Sequence, residues 1–177
     1  RVADYFTMYN ELTESAADQD LGSGGAMLLP DLTDSGGVVR HLAVGAGKDG
    51  NIYVVNRDSL GKFNPGGNSQ IWQQVSGALT SSVFSTPAYF NGTVYYGDVG
   101  ETLKAFALSN ARLAASPQSQ TPTPFGYPGT APGISANGRS NGIVWAHENS
   151  NPAVLHAYDA TNLGHELYNS NQAAGNR

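Results

Sequence analysis

The sequence predicts an all-β protein built from repeated antiparallel units. Three observations carry this. Three segments line up at a spacing of about fifty residues: Leu42–Gly61, Val94–Arg112 and Ile143–Gly164. Each holds short runs rich in Val, Ile, Tyr, Phe and Thr, separated by Gly- or Asn-bearing turns. Ile52, Leu103 and Leu155 fall at the same phase of the repeat.

The turns place the strands. Asn91-Gly92 lies between Pro87–Phe90 and Thr93–Tyr96, and Asn-Gly tolerates positive φ at both central positions of a type I′ hairpin turn. Asn91-Gly92-Thr93 is formally a glycosylation sequon, but it reads as a hairpin turn first. Lys48-Asp49-Gly50-Asn51 joins Leu42–Gly45 to Ile52–Val55 in the first unit, and Asn137-Gly138 turns the outer strand of the third. Runs such as Leu42–Gly45 and Ile52–Val55 are almost continuously apolar, as strands buried on both faces are. Gly45, Gly97 and Ala146 are expected to close the second strand of each unit, with small residues there for close backbone approach or a turn. Three or four short strands per fifty residues is the composition of a β-propeller blade. The expected fold is a β-propeller of four-stranded antiparallel blades, over roughly 21–76, 83–116 and 133–171, with 1–20 belonging to a preceding blade.

A propeller ring closes with about four to eight blades. Three units and a part are therefore expected to be a fragment of a larger ring, or to be completed by blades from the same or another chain. The polar tail Asn169–Arg177 offers no closing strand. The stretch Ala114–Gly133 holds five prolines and is expected to be an outer strand and peripheral loop, not a domain boundary.

Composition narrows the partner classes. The 177 residues are 40% hydrophobic and only 13% charged, with a net charge of −5 and 22 glycines. That suits a turn-rich β protein with a real core. No basic stripe exists for nucleic acid, and no apolar run has the length of a membrane span. Cysteine is absent, which removes disulfides, thiolate zinc sites and thiol nucleophiles.

The repeats resemble a known family. Ala157–Tyr168 (Ala-Tyr-Asp-Ala-Thr-Asn-Leu-Gly-His-Glu-Leu-Tyr) is similar to the pyrroloquinoline-quinone (PQQ) enzyme repeat, Ala-x-Asp-x-x-Thr-Gly-Lys-x-x-Trp. Asn56–Lys62 with Ile71-Trp72 looks like the same element, Trp72 standing where a docking tryptophan packs between blades. Both turns are one residue longer than the family pattern, and Tyr168 replaces the tryptophan. Ala17–Gly61 resembles quinoprotein alcohol dehydrogenases more finely. Ala17-Asp18-Gln19-Asp20 stands for their Trp-Asp-x-Asp, then Met27–Pro30, Lys48-Asp49-Gly50, and Tyr53–Arg57 for Tyr-Val-Leu-Asp-Arg. The resemblance implies a catalytic base at Asp18 or Asp20, calcium-side carboxylates at Asp18 and Asp20, and quinone contact by Lys48. Ala17 replaces the tryptophan, and the family's adjacent cysteines are absent. The repeat also occurs in bacterial propellers that bind no quinone and serve as protein-docking platforms.

The residues alone give Asp18–Gly25 two readings. Two carboxylates and flexible glycines can surround a hard cation, but calcium takes six to eight oxygens and this stretch lacks the later ligands. A turn with Asp accepting from backbone N–H groups is the simpler reading. His41, His147, His156 and His165 show no metal spacing and are expected to face solvent or hydrogen-bond lightly. Gly22–Gly25 and Gly45–Lys48 lack the full phosphate-loop pattern, and no Gly-x-Ser-x-Gly elbow occurs. The aromatics at strand spacing, among them Tyr89, Tyr95, Phe106 and Tyr158, are expected to fill layers between blades.

The expected function is a non-catalytic binding or scaffold propeller of an exported bacterial protein, periplasmic or extracellular, with a protein or glycan ligand and no cofactor. The alternative is a PQQ- and calcium-dependent dehydrogenase of alcohols or sugars, with Asp18 or Asp20 as general base and Lys48 polarising the quinone.

Overall fold

The three repeat units fold into antiparallel sheets, each made of strands that follow one another along the chain. The structure, a computed structural model, describes residues 1–173, and the end of the polar tail, 174–177, lies outside the described residues. A short helix, α1 (Glu11–Ala16), precedes the first sheet. That sheet uses β1 (Ala26–Leu28), β4 (Leu42–Ala46), β5 (Ile52–Asn56) and β6 (Gln73–Val75) in the order β1-β4-β5-β6. A small hairpin, β2 (Leu32–Thr33) with β3 (Val39–Arg40), is inserted between β1 and β4. The second sheet uses β7 (Ala88–Phe90), β8 (Thr93–Gly97), β9 (Glu101–Ser109) and β10 (Arg112–Leu113), and β11 (Ser119–Phe125) also pairs with β9. The third is β12 (Gly133–Asn137), β13 (Ser140–Glu148), β14 (Val154–Asp159) and β15 (Asn162–Asn169) in sequence order. The fold is all-β with several antiparallel sheets, and among the described residues none closes on itself.

Turn chemistry explains the connections. Asn91 and Gly92 have φ of 47° and 84°, the positive pair that a type I′ turn between β7 and β8 requires. Gly50 turns β4 into β5 at φ 73°, while Asp49 Oδ1 accepts from the Asn51 N–H at 3.1 Å. The Pro-rich stretch contains a strand. β11 lies on the free side of β9, and its register shifts between Gln120 and Pro124. An edge position with an irregularity is where prolines such as Pro122 and Pro124 can enter a ladder without removing a needed N–H. The second sheet thus extends beyond residue 116.

Register assigns the faces. Ile52, Leu103 and Leu155 pair with Ala46, Gly97 and His147. Directly opposed residues share a face, so Leu42, Val44, Ala46, Ile52 and Val54 form what we term the leading face of the first sheet. Tyr95, Leu103 and Ala105 do so in the second, and Ile143, Trp145 and Leu155 in the third. The trailing faces carry Ala43, Gly45, Tyr53 and Val55; then Val94, Tyr96, Lys104 and Phe106; then Val144, Ala146, His156 and Tyr158. The expected equivalence of Gly45, Gly97 and Ala146 is therefore displaced by one residue in the first and third units. β4 ends at Ala46 and β13 at Glu148, and a shift of one residue exchanges the faces.

The core fills two layers between sheets. The first joins the leading face of sheet one (Leu42, Val44, Ile52, Val54) to the trailing face of sheet two (Val94, Tyr96, Phe106). The second joins Tyr95, Leu103 and Ala105 to Val144, Ala146 and Tyr158. Sheet two is buried on both faces, which is why its strands show little polar alternation. Polar bonds pin the layers. Tyr95 Oη donates to the Ala160 carbonyl at 2.7 Å. Trp72 Nε1 donates to the Ala111 carbonyl at 2.6 Å, and its ring lies between the Arg40 and Arg112 guanidinium groups, 4.7 and 4.8 Å from its centre. Trp72 thus bridges sheets one and two. Gly97 is required by close approach, since a Cβ there would meet the Thr130 carbonyl oxygen at 2.4 Å.

Candidate functional site

Asp18, Asp20 and Lys48 converge. The chain leaves α1 through Asp18 in the left-handed region (φ 57°) and turns toward the β4–β5 hairpin. The Lys48 N–H donates to the Asp20 carbonyl at 3.2 Å. This approach needs glycine at 47, where a Cβ would lie 2.5 Å from that same carbonyl oxygen. Lys48 Nζ then sits 2.9 Å from Asp18 Oδ1 and 2.9 Å from Asp20 Oδ2. The Lys48 bond holds the Asp20 carboxyl below the usual carboxylate range. Donating to the Asp18 and Asp20 carboxylates raises the Lys48 ammonium. Asp18 and Asp20 are exposed, and the Lys48 side chain is mostly covered.

Two depressions flank the cluster. One is an apolar hollow of about 250 Å³ on the trailing face of sheet one, with Ala43 and Gly45 in its floor and Phe6, Leu21 and Tyr53 in its walls. The other, about 340 Å³, lies beside α1 and includes Glu11, Glu14, Gln19 and Asp20. Glu14 is buried; its Oε1 accepts from Asn10 Nδ2 at 2.7 Å, and its Oε2 has no hydrogen-bond partner. Burial pushes its carboxyl above the ordinary value.

The arrangement tests the cofactors that the resemblance implies. Both carboxylates converge on one ammonium, and no group of three His, Cys, Asp or Glu side chains among the described residues is placed to hold a metal ion. Calcium takes six to eight oxygens, so these residues do not fit it. The cluster has two negative charges and one positive, leaving no uncompensated cation for the carboxylates and carbonyls of a quinone such as PQQ. As arranged, Lys48 ties the α1 turn to the β4–β5 hairpin, and the residues do not fit the quinone.

A second polar feature runs through the trailing faces. Tyr53, Lys104 and His156 occupy the same register position on the three trailing faces, all buried, and each meets a carboxylate. Tyr53 Oη donates to Asp49 Oδ2 at 2.5 Å. Lys104 Nζ lies 2.7 Å from Asp98 Oδ1. His156 Nδ1 lies 2.5 Å from Glu166 Oε1 and its Nε2 3.2 Å from Glu148 Oε2. Burial raises the Glu166 carboxyl, but the bonds from His156 and Asn169 outweigh it and leave the group lower than usual. His156 therefore does not face solvent as expected; it stacks on Tyr158 and meets the edge of Phe125. The signal was the shared phase of residues 53, 104 and 156. Of the other histidines, His147 and His165 are exposed and His41 bonds Asp58 at 2.9 Å, in line with the solvent-facing or lightly bonded reading.

The chain matches no family model, and no curated protein matches it.

Proposed function

We propose that the three sheets are consecutive blades of a β-propeller of the PQQ-like type, and that the chain serves as a binding or scaffold module, not as a catalyst. Three successive antiparallel sheets of four, five and four strands, stacked in one repeating register, support the architecture. The observation that carries the scaffold role is the exposed apolar side of sheet three. The leading face of sheet three exposes Leu155, and the last strand beside it exposes Leu167 and Tyr168. Contiguous exposed apolar residues on a rigid sheet mark a surface for a partner. The favoured partner is a protein, and in keeping with the resemblance the setting is bacterial, periplasmic or extracellular.

The test is a titration with PQQ and Ca²⁺ that follows the fluorescence of Trp72 and Trp145. The scaffold reading expects no saturable quenching. Saturable quenching that disappears in Lys48→Ala would overturn it in favour of the quinoprotein dehydrogenase. Glycan-array binding would replace the protein partner with a carbohydrate one.

A further inference from the structure

We infer that the depression beside α1 binds an alkylammonium group, with the buried Glu14 carboxylate as its anchor. This site shares no residue with the exposed apolar side of sheet three and stands independently of the scaffold reading.

Glu14 is 4% exposed. Asn10 Nδ2 donates to its Oε1 at 2.7 Å, which leaves Oε2 buried with no hydrogen-bond partner. Oδ1 of the same Asn10 is also buried and unpartnered. Two hydrogen-bonded residues thus each keep one acceptor out of water and without a donor, a costly state that native proteins avoid unless something fills it. Glu14 lines the depression of about 340 Å³, together with Thr7, Met8, Glu11, Gln19 and Leu21. The missing partner is therefore a donor that enters from this depression.

Charge says what kind of donor. The stretch 2–39 carries seven Asp and Glu residues and no Lys, Arg or His. Asp18 and Asp20 converge on Lys48. Glu11 accepts from the Thr7 hydroxyl at 3.0 Å, and neither Glu11 nor Glu14 has an ion-pair partner among the described residues. Burial raises the Glu14 carboxyl, and the Asp49 charge adds to that against the Asn10 bond. A cation at Oε2 would relieve both the missing bond and the unbalanced charge.

The donor set selects among cations. No three His, Cys, Asp or Glu side chains among the described residues are placed to hold a metal ion, and hard metal ions need several oxygens at once. A guanidinium fork seeks both oxygens of a carboxylate, but Oε1 is already taken by Asn10. A primary ammonium is a compact charge with three rotatable donors, which suits one carboxylate oxygen and the neighbouring amide carbonyl. Met8 and Leu21 in the lining offer an apolar wall for the methylene stem behind such a head group. The same chemistry is found in a free alkylamine and in the lysine side chain of a protein.

The experiment is an NMR titration of the full chain at neutral pH and low ionic strength, where surface charge is least screened. The probes are butane-1,4-diamine for a free amine and Nα-acetyl-lysine amide for a lysine side chain. Tetramethylammonium, which has no N–H donor, and calcium chloride are the controls. At least one primary amine is expected to bind one to one, with saturable amide shifts centred on residues 7–22, and at least about tenfold more tightly than tetramethylammonium. Tighter binding of the diamine assigns the site to a free amine, and tighter binding of the lysine amide assigns it to a protein's lysine; both support the proposal. Glu14→Gln keeps the shape without the charge and is expected to weaken binding at least about tenfold. Gln19→Lys, at an exposed position in the lining, supplies an ammonium from the chain itself; it is expected to abolish binding and to raise the melting temperature, and it tests the site should Glu14→Gln fail to fold. Absence of saturable shifts with both amines overturns the proposal. So do equal affinity for tetramethylammonium, unchanged affinity in a folded Glu14→Gln, unchanged affinity in Gln19→Lys, or displacement of the amine by equimolar calcium. None of these outcomes moves the quinone titration, so failure here and failure of the scaffold reading are separable.

Discussion

Replacing Lys104 with methionine tests how the buried polar row holds the sheets. The Lys104 side chain is 8% exposed and that of Asp98 is fully buried, with 2.7 Å between Nζ and Oδ1. Asp98 Oδ2 also accepts from the Thr80 N–H at 3.0 Å. The methionine roughly conserves volume and removes the charge together with the hydrogen bond to Asp98, leaving a carboxylate without its ion partner between two sheets. Breaking a buried pair on one side costs about 3–5 kcal/mol. For a chain of this size about 1 kcal/mol moves the melting temperature by about 2–4 °C, so Lys104→Met is expected to lower it by roughly 6–20 °C. In urea, with an m-value of about 1–3 kcal/mol/M, the midpoint falls by a molar or more. Asp98→Asn keeps the acceptor for Thr80, and Lys104 retains Glu101 at 3.6 Å, so that change is expected to cost less. The double variant is expected to recover much of the Lys104→Met loss, a coupling that a double-mutant cycle measures directly. Urea unfolding at constant m-value is the assay. A Lys104→Met midpoint within experimental error of wild type, or strict additivity in the double variant, would refute the claim that burial makes this pair matter.

Three further predictions follow from the same packing. Tyr95→Phe removes the bond to the Ala160 carbonyl and is expected to cost about 1 kcal/mol, whereas Tyr96→Phe, whose hydroxyl is buried without a partner, is expected to be neutral or stabilising; thermal melts of the two compare them. Gly97→Ala forces a methyl against the Thr130 backbone and is expected to cost about 1–3 kcal/mol, while Gly45→Ala is expected to be nearly silent, and equal losses in urea would contradict the face assignment. Glu14 has a folded-state pKa above the ordinary 4.5 because it is buried; the folded state then binds the extra proton, so its contribution is present at acid pH and is lost as pH rises through that interval. Glu14→Gln is expected to flatten that part of the stability–pH curve, and an unchanged slope would show that Glu14 is solvated.

Much of this architecture could be read from local chemistry. Asn91-Gly92 specified its hairpin because few other residue pairs accept two positive φ values. The common phase of Ile52, Leu103 and Leu155 reflected a real face, since all three occupy one register position. The glycine equivalence slipped by one because the apolar runs lack alternation. Where both faces of a strand are buried, nothing in the sequence distinguishes them. The strand at Ser119–Phe125 was masked by its prolines, which an edge position tolerates. The convergence of Asp18, Asp20 and Lys48 was suggested only by a family resemblance, because their contact is made by a turn that spacing does not encode. That the two carboxylates would be engaged by the lysine depended on distances invisible in the sequence. His156 was misread because its two carboxylate partners lie on neighbouring strands, one of them across a bulged register in β15.

Three sheets stack face to face, with the middle one covered on both sides. Amide hydrogen exchange on the intact chain, followed residue by residue by NMR, tests it most directly. The amides of Val94–Tyr96 and Leu103–Phe106 are expected to exchange slowest, and those of β14 beside exposed Leu155 distinctly faster. Middle-sheet amides exchanging as fast as those of the third sheet would contradict the stacked arrangement.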